Sequence, residues 1–207
     1  MKKSKDKLSR YCALMEEIKK RDTVIRGFLM GGCYTPYRAT SLECMYFQLR
    51  KIIELIALAS LVANEKEYSR QFKDFHKHWN ARDILKKLEK INPNFYPEPI
   101  KEIPVPDSKT EWVAIQDGYL TKEDFIRVYA QCSKIVHADN PFGTKTDYDY
   151  YEKQITIWLG KIVNLLNCHL LHLVNDPNVY LIHMKEQRDD KVHAYTFAPV
   201  KSTRKKS

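Results

Sequence analysis

Apolar side chains recur every three or four residues along most of this chain, a spacing that places them on one face of an α-helix. The first stripe predicts a helix from about Lys7 to Leu29, ended by the glycines at positions 31 and 32. The second predicts a helix from about Ala39 to Ala63 whose later half is apolar on nearly every side. A helix of that kind is surrounded by others, so we expect it at the centre of a helical bundle.

The middle of the chain changes from helical to extended patterning. Asn80 is placed to cap a short helix over residues 81–91. Residues 92–110 then hold five of the nine prolines, together with several apolar side chains. Because proline disfavours both helix and sheet interiors, this segment predicts an extended strap packed across the bundle.

Helical spacing resumes after a short extended piece. Thr121 resembles the first residue of a capping box and opens a helix to about Val136. A long helix is predicted from Tyr148 to Val174, and the alternating pattern of residues 178–200 predicts a β-hairpin. The elements together predict a mainly α fold, a helical bundle with a Pro-rich extended strap and a C-terminal β-hairpin.

Length and composition fit a single folded domain. The chain has 207 residues, of which 43% are hydrophobic, so we expect one domain over residues 1–200 and a basic tail at 201–207. No apolar run reaches the roughly 20 residues of a membrane-spanning helix, and the N-terminus does not resemble a signal peptide. We therefore expect a cytoplasmic protein with no membrane partner.

Charge and cysteine content narrow the functional classes only slightly. Eight of the nine net positive charges come from residues 1–10 and 201–207, which serve either as solubilising tails or as weak, salt-sensitive contacts to phosphate polymers. The five cysteines include no C-x-x-C pair, which argues against a disulfide framework and fits a reducing compartment. We expect no cofactor.

A polar stripe interrupts the apolar central helix. Glu43, Arg50 and Glu54 are seven and four residues apart and share one helix face. Burying charge is unfavourable unless it is paired. Either Arg50 and Glu54 form an internal ion pair that fixes the helix register, or the stripe lines a wet cleft.

The end of the Thr121 helix carries a second polar group. Ser133 and His137 are four residues apart, and Asn140 stands shortly after them. The negative end of a helix dipole favours imidazolium, so His137 is placed either for proton transfer or simply to cap the last carbonyls. Cys168 and His172 have a spacing compatible with zinc on a helix, but no further ligands are indicated, so we expect no metal site.

These two segments resemble the HEPN superfamily, small helical-bundle proteins of bacterial toxin–antitoxin, abortive-infection and CRISPR-linked defence systems. The resemblance rests on F-Q-L-R-K-I-I-E-L-I in one helix and S-K-I-V-H-A-D-N-P at the end of another, and it covers residues 39–64 and 121–174. In that superfamily an Arg and a His on one helix cleave RNA without a metal, in a dimer. His137 matches the motif histidine, whereas Arg127 lies ten residues upstream, about 15 Å along a helix.

The resemblance therefore implies a modified site. His137 would deprotonate the 2′-hydroxyl of RNA, Arg50 or Lys134 would stabilise the phosphorane, and Ser133 would orient the imidazole. Asn140 and Glu54 would bind the substrate, Asn140 through the sugar or a base.

Three functions follow as hypotheses. The first is a metal-independent endoribonuclease in bacterial defence or a toxin system, with RNA as substrate. The second is a non-catalytic helical module that assembles as a homodimer or with a partner protein. The third is a nucleic-acid-binding accessory protein that works through its basic ends, Lys2–Arg10 and Lys201–Lys206.

Overall fold

The structure, a computed structural model, describes residues 2–105 and 109–199, so the predicted basic tail at 201–207 lies outside it. In the described residues the elements are, in chain order, α1 Lys2–Leu29, α2 Arg38–Ala63, α3 Glu65–Gln71, a 3₁₀ turn Phe75–Lys77, α4 Ala81–Ile91, β1 Glu98–Val105, β2 Lys109–Ala114, α5 Lys122–Ile135, α6 Tyr148–Leu166, β3 Cys168–His172, β4 Val179–His183 and β5 His193–Phe197.

Helix α2 lies at the centre of the bundle, as its apolar pattern predicts. It packs against α1, α4, α5 and α6, and Leu49, Ile52, Ile53 and Ile56 are almost completely buried. Burial of four such side chains contributes roughly 1.5–3 kcal/mol each to folding. No helix within 2–105 or 109–199 combines the length and apolar character needed to cross a bilayer.

Two predicted helix caps are confirmed. The Asn80 side chain accepts hydrogen bonds from the backbone N–H groups of Arg82 and Asp83 at the start of α4. Thr121 Oγ1 accepts from the N–H of Asp124, 3.1 Å away, at the start of α5. Each cap satisfies donors that have no partner inside the helix, which fixes where the helix begins.

The predicted helix from Tyr148 to Val174 is wrong in its last third, because α6 ends at Leu166. His169 Nδ1 lies 2.8 Å from the Leu166 carbonyl oxygen, and His169 Nε2 lies 2.8 Å from the Tyr11 hydroxyl. The buried imidazole thus satisfies a carbonyl at the helix end and ties α6 to α1. The chain continues as strand β3 instead.

The sheet is larger than the predicted C-terminal hairpin. Five antiparallel strands lie in the order β2-β1-β3-β4-β5. The Pro-rich strap supplies β1, and the hairpin region supplies β4 and β5. β1 is bonded to β3 through only Glu98 and Pro99, and from Ile100 onwards it pairs with β2. Proline is tolerated in β1 because this strand pairs with β3 over only two residues, so it is not enclosed by a neighbouring strand on both sides.

The sheet has one face toward the helices and one face away from them. Leu171, Tyr180 and Ile182 belong to the main core, which includes side chains from all six helices. The opposite face carries a separate apolar cluster, in which Ile100, Leu170 and Leu181 are buried. Alternation along β3 and β4 explains this division, since neighbouring side chains of a strand point to opposite faces.

The sheet is strongly curled. Trp112 lies on β2 and Phe197 on β5, at opposite edges of the five strands, yet their ring centroids are 4.7 Å apart. In a flat sheet, four strand spacings would separate these edges by roughly 19 Å. The β1–β2 hairpin therefore bends over the outer apolar cluster and covers it.

Candidate functional site

The Arg50 site, composed of Arg50, Glu54, Tyr129 and Ser133, lies between α2 and α5. Arg50 Nε donates to Glu54 Oε1 at 3.1 Å, Nη1 to Ser133 Oγ at 2.7 Å, and Nη2 to the Tyr129 hydroxyl at 3.1 Å. The guanidinium carbon also lies 4.7 Å from the centroid of the Tyr129 ring. Three hydrogen bonds and a cation–π contact, from three side chains, thus hold the guanidinium in a single orientation.

Helical spacing explains why these four side chains meet. Arg50 and Glu54 are four residues apart on α2, and Tyr129 and Ser133 are four residues apart on the facing side of α5, so each pair occupies one helix face. The side chains of Arg50 and Glu54 are 21% and 14% exposed. The sequence allowed an internal ion pair or a cleft, and the ion pair is formed at the edge of the surface. Glu43 forms no hydrogen bond or ion pair with Arg50.

His137 is not part of the Arg50 site. α5 ends at Ile135, and His137 follows in an exposed bend, where it forms no hydrogen bond within the described residues. The predicted orientation of His137 by Ser133 is therefore wrong. Ser133 Oγ donates to the Tyr129 carbonyl at 3.1 Å and accepts from Arg50, so both interactions lie within the helix pair. His137 does not cap the last carbonyls either.

The segment after His137 is a loop held by local hydrogen bonds. Asn140 Oδ1 accepts from the N–H of Phe142, which fixes the turn and leaves the Asn140 amide donors available. Thr146 donates two hydrogen bonds to Asp139. These bonds, with smaller effects from nearby lysines that include Lys134, hold the pKa of Asp139 below its usual value. Lys134 itself is exposed and bonded to none of the Arg50 site.

Exposed aromatic side chains surround the end of the bundle where α2 and α6 begin and α5 ends, which we call the open end. The start of α2 is joined to the start of α6 because Arg38 contacts Asp149 and Glu152, both at 2.5 Å. Tyr34, before α2, is 83% exposed and Phe142, before α6, is 96% exposed. The loops that join α1 to α2 and α5 to α6 thus present aromatic rings to solvent beside the exposed groups of the α5 end.

A second polar cluster lies on the outer face of the sheet. The sheet site consists of Glu102, Cys168 and His183, whose ligand atoms all lie within 4.8 Å of one another. Burial, and then the charges of Glu102 and Glu186, raise the pKa of Cys168 to about 12. The sequence pattern paired Cys168 with His172 on a helix, but both lie on β3, and His172 contacts Glu98 at 3.0 Å instead.

Sequence reasoning missed Tyr129, Glu102 and His183 as site residues. Tyr129 could have been found, because it is one helical turn before Ser133 on the same face. Glu102 and His183 are separated from Cys168 by 66 and 15 residues, and only the strand register brings the three together.

No protein-family model, curated protein or solved structure matches this chain. The resemblance carried by α2 and α5 therefore stays a prediction.

Proposed function

We propose that this protein binds single-stranded RNA at the open end of the bundle and cleaves it without a metal ion. The main support is the fixed orientation of the Arg50 guanidinium and its unused N–H donors. A guanidinium has five N–H donors, and three of those of Arg50 are used within the protein. The remaining two belong to a fixed, partly exposed cation, which is the arrangement that binds phosphate oxygens without further ordering.

Neighbouring exposed groups supply the other elements of RNA recognition. Lys134 adds a second cation one residue after Ser133, and Asn140 keeps amide donors for a sugar or a base. Tyr34 and Phe142 offer exposed rings on which bases can stack, worth about 1–3 kcal/mol per base. Basic and aromatic side chains that are far apart in the sequence are thus available at one end of the fold.

The chemical step uses His137 as general base. It removes the proton from a 2′-hydroxyl, and the resulting oxygen attacks the adjacent phosphorus. The bond from phosphorus to the 5′-oxygen breaks, the 5′-oxygen takes a proton from water, and a 2′,3′-cyclic phosphate remains. Arg50 and Lys134 stabilise the negative charge of the phosphorane. Since no side chain among the described residues orients His137, substrate binding must place the imidazole.

The test compares binding and cleavage of a labelled single-stranded RNA in buffer without Mg²⁺. We expect His137→Ala to bind normally and to cleave about 10²–10⁴ times more slowly. Arg50→Lys keeps the charge but loses the fixed fork of donors, so it should weaken binding. Arg70→Ala is the matched control, because Arg70 is an exposed arginine paired with Glu67 on α3. Equal cleavage by His137→Ala and the parent chain rejects the catalytic role.

A non-catalytic assembly module is the second candidate, and the exposed apolar side chains of the open end favour it. Met30 and Tyr34, in the segment between α1 and α2, are 79% and 83% exposed, and Phe142, between α5 and α6, is 96% exposed. Large exposed apolar side chains are typical of protein interfaces. Phe142→Ser should then convert a dimer to a monomer in light scattering, whereas Ile157→Ser, at an exposed position on α6, should not. A parent chain that is already monomeric at micromolar concentration excludes self-assembly.

A further inference from the structure

We propose that the sheet site binds a zinc ion through Glu102, Cys168 and His183. Cys168 is the first residue of β3 and lies directly opposite His183, the last residue of β4. Directly opposed residues have Cβ atoms about 4.5–5.5 Å apart. Glu102 comes from the part of β1 that extends past β3, and its carboxylate lies 3.1 Å from His183 Nε2. Three strands thus bring a thiol, an imidazole and a carboxylate to one point.

His183 is held in the orientation that a metal ligand requires. Its Nδ1 lies 2.7 Å from Glu186 Oε1, and the Tyr195 hydroxyl donates to the same carboxylate oxygen at 2.7 Å. A carboxylate only accepts, so Nδ1 carries the proton and Nε2 presents its lone pair. A carboxylate on the far nitrogen is the usual partner of a metal-binding histidine, because it fixes the tautomer and the ring direction.

The other ring nitrogen has no hydrogen-bond partner within the described residues. His183 Nε2 is buried, and although Glu102 lies 3.1 Å away, the geometry does not form a hydrogen bond. Cys168 also forms no hydrogen bond there. A buried polar atom without a partner costs about 1–3 kcal/mol, so native proteins rarely leave one without a reason. A cation at this point would accept the lone pair.

An imidazolium ion between two carboxylates is the alternative explanation. A doubly protonated His183 would donate to Glu186 through Nδ1 and to Glu102 through Nε2. The first of these contacts has hydrogen-bond geometry and the second does not. The thiol of Cys168 also has no role in that arrangement. A metal ion uses all three side chains, and we therefore prefer it.

The donor set favours zinc among the common cations. Thiolate, imidazole and carboxylate are all zinc ligands, whereas Mg²⁺ and Ca²⁺ prefer oxygen alone. At bond lengths of about 2.0–2.3 Å, tetrahedral ligands are roughly 3.5 Å apart, so separations of up to 4.8 Å close through small side-chain rotations. Three protein ligands leave the fourth position to a water molecule or a small anion.

The surroundings of the site also fit a bound zinc. The apolar cluster of Ile100, Leu170 and Leu181 lies on the same face of the sheet, and Cys168 packs against it. A partly dry environment strengthens the attraction between a cation and the negative groups around it. Glu102 and Glu186 supply that negative charge. The zinc would join β1 to the β3–β4 pair, and this role does not depend on RNA binding.

The test is metal binding by the full chain after treatment with a chelator. We expect one Zn²⁺ per chain with a dissociation constant below about 1 µM, and Co²⁺ in its place should give the near-ultraviolet charge-transfer band of a cobalt–thiolate bond. Cys168→Ser should remove that band. Glu102→Gln changes an exposed residue, so the fold should persist while zinc binding weakens at least tenfold.

Two matched controls separate the sheet site from adventitious binding. Glu98→Gln removes an exposed carboxylate beside His172 on the same sheet, and Cys33→Ser removes an exposed thiol elsewhere. Both variants should bind zinc as the parent chain does. Glu186→Gln, which leaves the three ligands in place, should weaken binding about 10–100-fold. Absence of zinc binding by the parent chain, or equal loss in Cys33→Ser and Cys168→Ser, overturns the proposal.

Discussion

The Arg50 site and the sheet site both place charged groups at half-buried positions, but they differ in how completely those groups are paired. At the Arg50 site, Glu54, Tyr129 and Ser133 accept hydrogen bonds from the guanidinium, and no buried polar atom lacks a partner. At the sheet site, a ring nitrogen of His183 is buried without a hydrogen bond from any residue that the structure describes. The Arg50 network stabilises the contact between α2 and α5 without a ligand. The sheet site needs a ligand to supply a partner for the His183 ring nitrogen.

This difference predicts that the Arg50 network contributes to folding without a ligand, whereas the sheet site does not. A satisfied network contributes to folding and is sensitive to substitution, because removing one member leaves another unpaired. An unsatisfied cluster contributes little until its ligand is present. Substitutions at the Arg50 site should therefore lower the free energy of unfolding in addition to any effect on RNA binding, whereas substitutions at the sheet site should weaken zinc binding with little effect on stability.

The largest expected effect is on the pH dependence of stability, and it concerns His169. This residue lies on the inner face of the sheet, and both of its ring nitrogens have hydrogen-bond partners. Burial is the main cause that lowers its pKa to about 4 from the ordinary 6.5, against the effect of the Leu166 carbonyl. Between these values the unfolded chain binds a proton that the folded chain does not, so stability falls as pH falls. The free energy of unfolding should be about 3 kcal/mol lower at pH 4 than at pH 7 on this account.

Urea unfolding at several pH values measures this dependence. His169→Gln removes the titrating group, so it should flatten the curve between pH 6.5 and 4 even if the variant is less stable throughout. His76→Gln, at an exposed position on the surface, should retain the slope of the parent chain. An unchanged slope in His169→Gln would show that other groups cause the acid sensitivity.

An intermediate effect is expected at the Arg50 site. Arg50→Ala leaves Glu54, which is 14% exposed, with Lys51 at 3.2 Å but without its guanidinium partner, and it empties the space against Tyr129. We expect the free energy of unfolding to fall by about 2 kcal/mol, seen as a lower urea midpoint at constant slope. Arg70→Ala removes an arginine whose side chain is 69% exposed, and it should cost at most about 0.5 kcal/mol. Similar losses in both variants would contradict a structural role for the network.

The smallest effect is expected at the sheet site without metal. In chelator-treated protein, Glu102→Gln should change the free energy of unfolding by no more than about 0.5 kcal/mol, because the carboxylate has no hydrogen-bond donor to lose there. Thermal or urea unfolding checks this value. A loss as large as that of Arg50→Ala would mean that Glu102 is already part of a satisfied ion pair, and the contrast between the two sites would disappear.

Features that depend on local spacing could be predicted from the sequence. α2 was expected over residues 39–63 and forms over Arg38–Ala63, and the caps Asn80 and Thr121 lie where side-chain chemistry indicates. The contact between Arg50 and Glu54 follows from the same rule of helical neighbours. In each case the information lies within a few residues of chain.

Features that depend on tertiary contacts could not be predicted in this way. The apolar run that follows α6 has a spacing compatible with both helix and strand. The helix ends at Leu166, where the His169 ring contacts the Leu166 carbonyl through one nitrogen and the Tyr11 hydroxyl through the other. The sheet site depends on the register of β3 and β4 and on the path of β1. Strand register is determined by the whole sheet, so no short motif predicts it.

The curl of the sheet, which brings Trp112 of one edge strand against Phe197 of the other, has a consequence for local opening. Glu102 lies on the part of the hairpin that bends over the outer face, whereas Cys168 and His183 lie on strands beneath it. Separation of the hairpin from the sheet would remove one ligand and expose the apolar cluster in the same motion. Occupancy of the sheet site is thus linked to hydrogen exchange of the β1–β2 amides, which should slow when zinc is bound.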